Sequence, residues 1–123
     1  MSIIAPTSEV WLKDDGSAFA EAELVYVSST AIGRVDIHLP EASPKRLGLS
    51  RKIIVGTGFG CRIYPGTFDH IQLPGLTITT LGTGYIQQLA ECGIELVLTD
   101  HGEYAAGAGV WRPVSMIGTW TRT

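Results

Sequence analysis

Residues 76–98, LTITTLGTGYIQQLAECGIELVL, decide the fold class that the sequence predicts. The run 76–81 is rich in threonine, isoleucine and leucine, which favour a β-strand. In 85–92 the apolar residues recur at helical spacing, and Gly93 stands where a glycine commonly ends a helix, so this stretch predicts a short helix. The apolar run 94–98 predicts a further strand. Strand, helix and strand in this order predict a crossover with parallel pairing.

The chain outside this segment reads as strands separated by glycine- and proline-containing turns. Arg34 to Leu39 alternates strictly between apolar and polar residues, which is typical of a strand with one buried face. The Asp15-Gly16 dipeptide predicts the turn of a hairpin over residues 9–28. Further strands are predicted at 52–55, 61–64 and 114–123.

The predicted architecture is a single α+β domain over residues 1–123. We expect a mostly antiparallel sheet, two-layered or partly curled, packed on the one short helix near 85–92. A chain of this length is long enough to bury one hydrophobic core without metals or disulfides. No linker, charge block or low-complexity tract divides it.

Composition limits the classes of partner. Apolar residues make up 45% of the chain and charged residues 17%, with a net charge of −3. Because these charges are too few to cover the surface of a monomer, we expect apolar surface to be shared with a second subunit or a protein partner. A homo-oligomer is the expected form. The basic residues are scattered, which argues against nucleic-acid binding. The absence of a long apolar run and of a secretory leader predicts a cytoplasmic protein with no membrane contact.

Each histidine lies within two residues of an aspartate, in the pairs Asp36 and His38, Asp69 and His70, and Asp100 and His101. Three imidazoles can form a metal site with an open position for water, so His38, His70 and His101 are candidate metal ligands. No two of them have the spacing that places two ligands on one face of a helix or strand. The alternative is a set of solvated turns capped by aspartate.

The segment TDHGEY at residues 99–104 is the first candidate for a catalytic site. It follows an apolar strand, and ligands commonly bind at such strand ends. The candidate acid–base residues are His70 and, from this segment, Asp100, His101 and Glu103. The alternative is a polar hairpin turn with Gly102 at the bend.

Gly82, Thr83 and Gly84 form a second candidate site, between the predicted strand and the predicted helix. Free N–H groups at a helix N-terminus bind anions, and glycine permits close approach. Neither the Walker nor the dinucleotide-binding fingerprint is present. A flexible turn without a ligand is the alternative.

The sequence favours a small non-catalytic interaction or assembly module. A hydrolase or isomerase dependent on a metal or on acid–base residues is the second hypothesis, and an anion or nucleotide binder at residues 82–84 is the third. The sequence does not identify a cofactor. We expect Trp11, Trp111, Trp120 and Tyr104 to anchor the core or an interface.

Overall fold

The structure is a computed structural model, and its elements are β-strands with one 3-10 turn in the described part. The described residues are 3–6, 8–12, 24–27, 33–56, 60–89, 91–102 and 107–123. In these ranges no helix is long and apolar enough to cross a membrane.

Eleven strands and the 3-10 turn follow one another along the described chain. In order they are β1 Ile3–Ile4, β2 Glu9–Trp11, β3 Leu24–Val27, β4 Val35–His38, the turn Pro44–Arg46, β5 Ser50–Val55, β6 Cys61–Tyr64, β7 His70–Ile71, β8 Ile86–Gln88, β9 Cys92–His101, β10 Gly109–Ile117 and β11 Thr121–Arg122.

The strands form two mixed sheets. The first sheet has the order β1-β3-β5-β9-β10-β7, and the second has the order β11-β8-β6-β4-β2. From β1 to β9 each successive strand belongs to the other sheet. As a result, β1, β3 and β5 run parallel in the first sheet while β2, β4 and β6 run parallel in the second. The first half of the chain is therefore a two-sheeted coil, in which parallel neighbours are connected through the opposite sheet.

The hydrophobic core lies between the two sheets and follows from the alternation of each strand. In β5 every second residue is buried, as Arg51, Ile53 and Val55 are, and β4 and β6 follow the same two-residue period. Each strand places one face inward and the other outward. The largest fully buried side chains are Trp111, Leu12, Ile37, Ile53, Ile63, Ile71, Leu73, Ile86, Leu96, Leu98, Val25 and Val27.

The predicted α+β class is wrong, because the described residues of 85–92 form no helix. Residues 86–88 are strand β8, which pairs antiparallel with both β6 and β11, and Cys92 begins β9. Ile86 is fully buried while Gln87 faces outward beside Arg62, so the two-residue period of a strand applies here. Gly93 continues β9 instead of ending a helix.

The predicted strand 76–81 and the crossover that depended on it are also wrong. Residues 76–81 are bend, turn and irregular backbone. The Thr79 N–H donates to the carbonyl oxygen of Ile71 at 3.0 Å, and the Thr79 hydroxyl accepts the N–H of the same isoleucine at 3.0 Å. This buried threonine fixes a loop over β7, so tertiary contacts override β-propensity here.

The hairpin over 9–28 is wrong as well, since β2 and β3 lie in different sheets. The predicted turn at Asp15 and Gly16 lies outside the described residues. Nor is the pairing mostly antiparallel: among the described strands, five pairs are parallel and four are antiparallel.

The strands predicted at 34–39, 52–55, 61–64 and 94–98 are confirmed, within β4, β5, β6 and β9.

Candidate functional site

A row of stacked rings crosses the outer face of the second sheet. Trp11 on β2 lies in register with His38 on β4, and His38 lies in register with Tyr64 on β6. The Trp11 and His38 rings are parallel, with centroids 3.6 Å apart, and the His38 and Tyr64 centroids are 4.8 Å apart. Tyr85, just before β8, packs on Tyr64 at 5.3 Å in a tilted arrangement. We call these four residues the aromatic row.

The row follows from the coil of the chain. Neighbouring parallel strands place equivalent positions about 4.8 Å apart, a spacing close to that of stacked rings. Each strand buries the residue before its ring: Val10 on β2, Ile37 on β4 and Ile63 on β6. The rings therefore point outward, and they stabilise the sheet as cross-strand pairs.

A polar row lies beside the aromatic row on the same sheet face. Glu9, Asp36 and Arg62 are in register with one another on β2, β4 and β6. Glu9 Oε2 lies 2.9 Å from His38 Nε2, and the Arg62 guanidinium lies 4.3 Å from the centroid of the Tyr85 ring. The two rows are thus joined by a hydrogen-bond contact at one end and a cation–π contact at the other.

A cleft of about 730 Å³ opens at the aromatic row. Its volume is in the range of about 300–1,000 Å³ that small ligands and side chains occupy. The ring at its rim, Trp11, is 57% exposed although it belongs to a strand with a buried centre. The cleft is lined by apolar and aromatic side chains, by three glycine backbones and by four polar side chains. The lining residues are Trp11, Leu12, His38, Leu39, Pro40, Glu41, Arg46, Tyr64, Pro65, Gly66, Thr67, Gly82 and Gly84.

Two carboxylates hold the wall of this cleft. Asp69 is 1% exposed and accepts the N–H of Ala42 at 2.8 Å and the N–H of Gly109 at 2.9 Å. Glu41 accepts the N–H of Thr67 at 3.1 Å. Burial raises the pKa of Asp69 above its ordinary value, the two backbone donors oppose this, and the nearby charge of Glu41 adds to it. Asp69 therefore connects the loop after β4 to the start of β10.

The three histidines predicted as metal ligands do not lie together. His38 belongs to the aromatic row of the second sheet, whereas His70 on β7 and His101 on β9 belong to the first. Within the described ranges no group of three histidine, cysteine, aspartate or glutamate side chains is arranged to hold a metal ion. The metal role stays a prediction.

The candidate acid–base residues gather at one end of the first sheet. Asp100 and His70 are both in register with Val110, one on each side of it, and His101 follows Asp100 in β9. Asp100 pairs with the guanidinium of Arg112, and His70 Nδ1 lies 2.9 Å from the carbonyl oxygen of Thr79.

Glu103, the fourth member of the predicted set, lies outside the described residues. A catalytic role for the set stays a prediction, with Asp100 and His70 already engaged in structural contacts.

The predicted anion site takes part in the cleft, but not as a helix terminus. Gly82 and Gly84 line the cleft, while Thr83 is exposed in the same turn. The Gly84 N–H donates to the carbonyl oxygen of Thr80 at 2.8 Å and is therefore used within the turn. The following strand β8 has no helix dipole to attract an anion. The anion role stays a prediction.

The aromatic row was missed at the sequence level, although a spacing pattern points to it. Trp11 and His38 are 27 positions apart, and His38 and Tyr64 are 26 apart. One circuit of the two-sheeted coil has about this length, so nearly equal spacing brings the rings into register. Of the three tryptophans, Trp111 and Trp120 are in the core as expected, and Trp11 is at the surface. Tyr104 lies outside the described residues.

A second surface feature is the outer edge of β10. Strand β9 pairs with one edge of β10 along its length, whereas β7 covers the other edge only at Val110 and Trp111. Beyond that point, no strand in the described part pairs with this edge. Val114, Met116 and Ile117 are 62%, 40% and 72% exposed. We call residues 113–117 the open edge of β10.

Comparisons of this chain with protein-family models, with curated proteins and with solved structures return no match. Its function therefore has to be inferred from the geometry of the aromatic row, the cleft and the open edge of β10.

Proposed function

We propose that this chain is an assembly module that self-associates by pairing the open edge of β10 with that of a second copy. The observation that carries the proposal is the combination of an uncovered strand edge with three exposed apolar side chains, Val114, Met116 and Ile117. An open edge presents unpaired N–H and C=O groups, which an added strand satisfies while apolar side chains become buried.

A second copy of this chain fits the edge because the segment carries no charge. Residues 113–119, PVSMIGT, contain no acidic or basic side chain, so two identical edges meet without repulsion. A twofold axis makes the two strands antiparallel. With the axis at Ser115, Val114 lies opposite Met116 of the second copy and Pro113 lies opposite Ile117 of the second copy. All three exposed apolar side chains then enter the interface.

The rest of the first sheet is consistent with this arrangement. Pro113 and the irregularity at Val114 interrupt the β9–β10 ladder but leave the remaining residues of the open edge uncovered. Native edges are usually blocked by a charge, a proline, a β-bulge, a covering loop or a very short strand. Within the described structure, Pro113 and the irregularity beside it occupy one end of the open edge, whereas residues 115–117 carry none of these features.

The enzyme hypothesis has weaker support. It requires His70, Asp100 and His101 to exchange protons with a substrate, but Asp100 is paired with Arg112 and His70 is 6% exposed. An open strand edge, by contrast, binds a partner strand without any change in the contacts of these side chains.

Sedimentation equilibrium tests the proposal with a double variant, Val114→Lys with Ile117→Lys. Lysine on an edge disfavours strand pairing. We expect the wild type to self-associate and the variant to associate at least about tenfold more weakly. The matched control is Phe68→Lys, which places one lysine at a 64%-exposed apolar site away from the open edge. A monomeric wild type, or equal weakening by the control, would contradict the proposal.

A further inference from the structure

The Trp11 ring is the open end of the aromatic row. Its inner face is covered by the parallel His38 ring at 3.6 Å, with an interplanar angle of 4°. Strand β2 is an edge strand of the second sheet, and Trp11 is 57% exposed. The exposed part therefore includes the outer ring face, where one more planar group can continue the stack.

Two carboxylates lie close to this ring. Glu9 lies two positions before Trp11, on the same face of β2, and its side chain is 53% exposed. Only Oε2 takes part in its contact with His38. Glu41 is exposed and lines the same cleft as Trp11. A planar group that carries positive charge and N–H donors matches both the ring and the carboxylates.

We propose that the cleft binds an arginine side chain of a protein partner, with the guanidinium stacked on the outer face of Trp11. Tryptophan is the best aromatic partner for a cation, and guanidinium combines charge, a flat face and a fork of N–H donors. The Glu9 carboxylate, which is held on the His38 side of the ring, attracts the guanidinium through its charge and not through a direct hydrogen bond. The apolar stem of the arginine lies against Leu12 and Leu39 in the cleft.

Arg46 determines the direction of approach. It also lines the cleft, and its Nη1 donates to the carbonyl oxygen of Glu41 at 2.5 Å. Because two guanidinium groups repel each other, the incoming arginine enters at the Trp11 side and leaves the Arg46 side to the neutral part of the partner. The net charge of −3 favours the approach of a basic partner.

This site is independent of the proposed assembly. The cleft is built on β2, β4 and β6 of the second sheet, whereas the open edge of β10 belongs to the first. The Val114→Lys and Ile117→Lys double variant is therefore expected to bind arginine as the wild type does, and failure of either proposal leaves the other unaffected.

Titration with N-acetyl-arginine amide, followed by tryptophan fluorescence, tests the proposal. Trp111 and Trp120 are 0% and 4% exposed, so a change on binding reports Trp11. We expect saturable binding, and binding of N-acetyl-citrulline amide, the uncharged analogue of nearly the same shape, at least about tenfold weaker. Glu9→Gln is expected to weaken binding about twofold, while the control Glu91→Gln, at another exposed carboxylate, leaves it unchanged.

Several results would overturn the proposal. One is the absence of saturable binding to the wild type. Equal binding of the citrulline compound would show that the positive charge is not recognised. Equal binding of N-acetyl-lysine amide would show that the flat guanidinium is not recognised. Binding that Trp11→Leu leaves intact, measured by calorimetry on a variant with wild-type thermal unfolding, would show that the ring is not the platform.

Discussion

At the scale of single residues, Asp69 shows how one buried carboxylate joins distant parts of this chain. It accepts N–H groups from Ala42 and Gly109, which are 27 and 40 positions away in sequence. Neither partner is recognisable from the local sequence, in which Asp69 and His70 read as a solvated turn. A buried carboxylate with two backbone donors is a structural anchor, and its cost in desolvation is visible as the raised pKa.

The raised pKa of Asp69 predicts a pH dependence of stability. Between the ordinary pKa of 3.8 and the raised value, the folded protein binds more protons than the unfolded chain. The contribution of Asp69 to the free energy of unfolding therefore falls as the pH rises through this window. We expect the stability advantage of the wild type over Asp69→Asn to be largest below this window and to shrink above it.

Urea unfolding of both proteins at a series of pH values measures this difference directly. Glu91→Gln, at an exposed carboxylate, serves as the control and is expected to follow the wild type in parallel. A gap between wild type and Asp69→Asn that widens with rising pH would show that the carboxylate is more stable charged in the folded state.

At the scale of elements, two signals identified strands correctly. β4 and β6 alternate between apolar and polar residues, whereas β5 was predicted from its apolar run at 53–55, because its buried Arg51 and exposed Ile54 break the alternation in sequence. The stretch 85–92 was wrongly predicted as a helix because its apolar residues fit a helical period over barely two turns. That length is too short to distinguish the 3.6-residue period of a helix from the two-residue period of a strand. The structure resolves the ambiguity through β6, whose Ile63 pairs with Ile86.

The candidate site was less predictable than the strands. Trp11, His38 and Tyr64 stand in unrelated local contexts, and only the length of the connecting segments brings them into register. Register across parallel strands depends on long-range packing, which local propensity does not encode. The histidines attracted attention because of neighbouring aspartates, whereas the partner of His38 is Glu9 on the adjacent strand.

The junction between β6 and β8 gives a prediction at this scale. Gly60 has a φ of +72°, and a Cβ there would lie 2.0 Å from the carbonyl oxygen of Gln88. Gly60→Ala is therefore expected to lower the free energy of unfolding by about 3 kcal/mol or more, from strain and overpacking combined. Gly75, with a φ of +75° and open space around it, is the matched control, and its alanine variant should lose about 1 kcal/mol.

Chemical denaturation of the two alanine variants separates backbone strain from the steric clash, because the two φ angles are nearly equal. Similar losses in both would mean that β8 does not lie against Gly60 as described.

At the scale of the whole molecule, the two-sheeted coil formed by the described residues buries its core without an α-helix. Both cysteines lie in this core, Cys61 on the second sheet and Cys92 on the first. Burial raises the pKa of Cys61, with smaller contributions from Cys92 and Asp36, and burial raises the pKa of Cys92 to about 11. Since the thiolate is the reactive form, we expect neither thiol to react in the folded protein near neutral pH.

Thiol labelling with a chromogenic disulfide reagent tests this description of the core. We expect both cysteines to react only as fast as the protein unfolds, with a rate that rises with denaturant. The positive control is the same protein in denaturing urea. Fast labelling of either thiol in native buffer would contradict the tight packing of the two sheets around them.

The same packing leaves apolar surface outside the core, and its distribution suggests how the molecule acts. Part of it lies on the open edge of β10, where Val114 and Ile117 are the most exposed. Another part is the Trp11 ring on the second sheet. The two surfaces belong to different sheets, so assembly and recognition of a partner can occur together.

The most direct test of assembly through β10 is oxidative cross-linking of Ser115→Cys. With the twofold axis at this residue, the two introduced cysteines face each other at a Cα separation of about 4.5–5.5 Å, within the range of a disulfide. The buried native thiols give no background. We predict a covalent dimer for Ser115→Cys and none for Phe68→Cys, at another exposed site. A Ser115→Cys protein that stays monomeric under oxidation, at concentrations where the wild type associates, would contradict the proposed pairing.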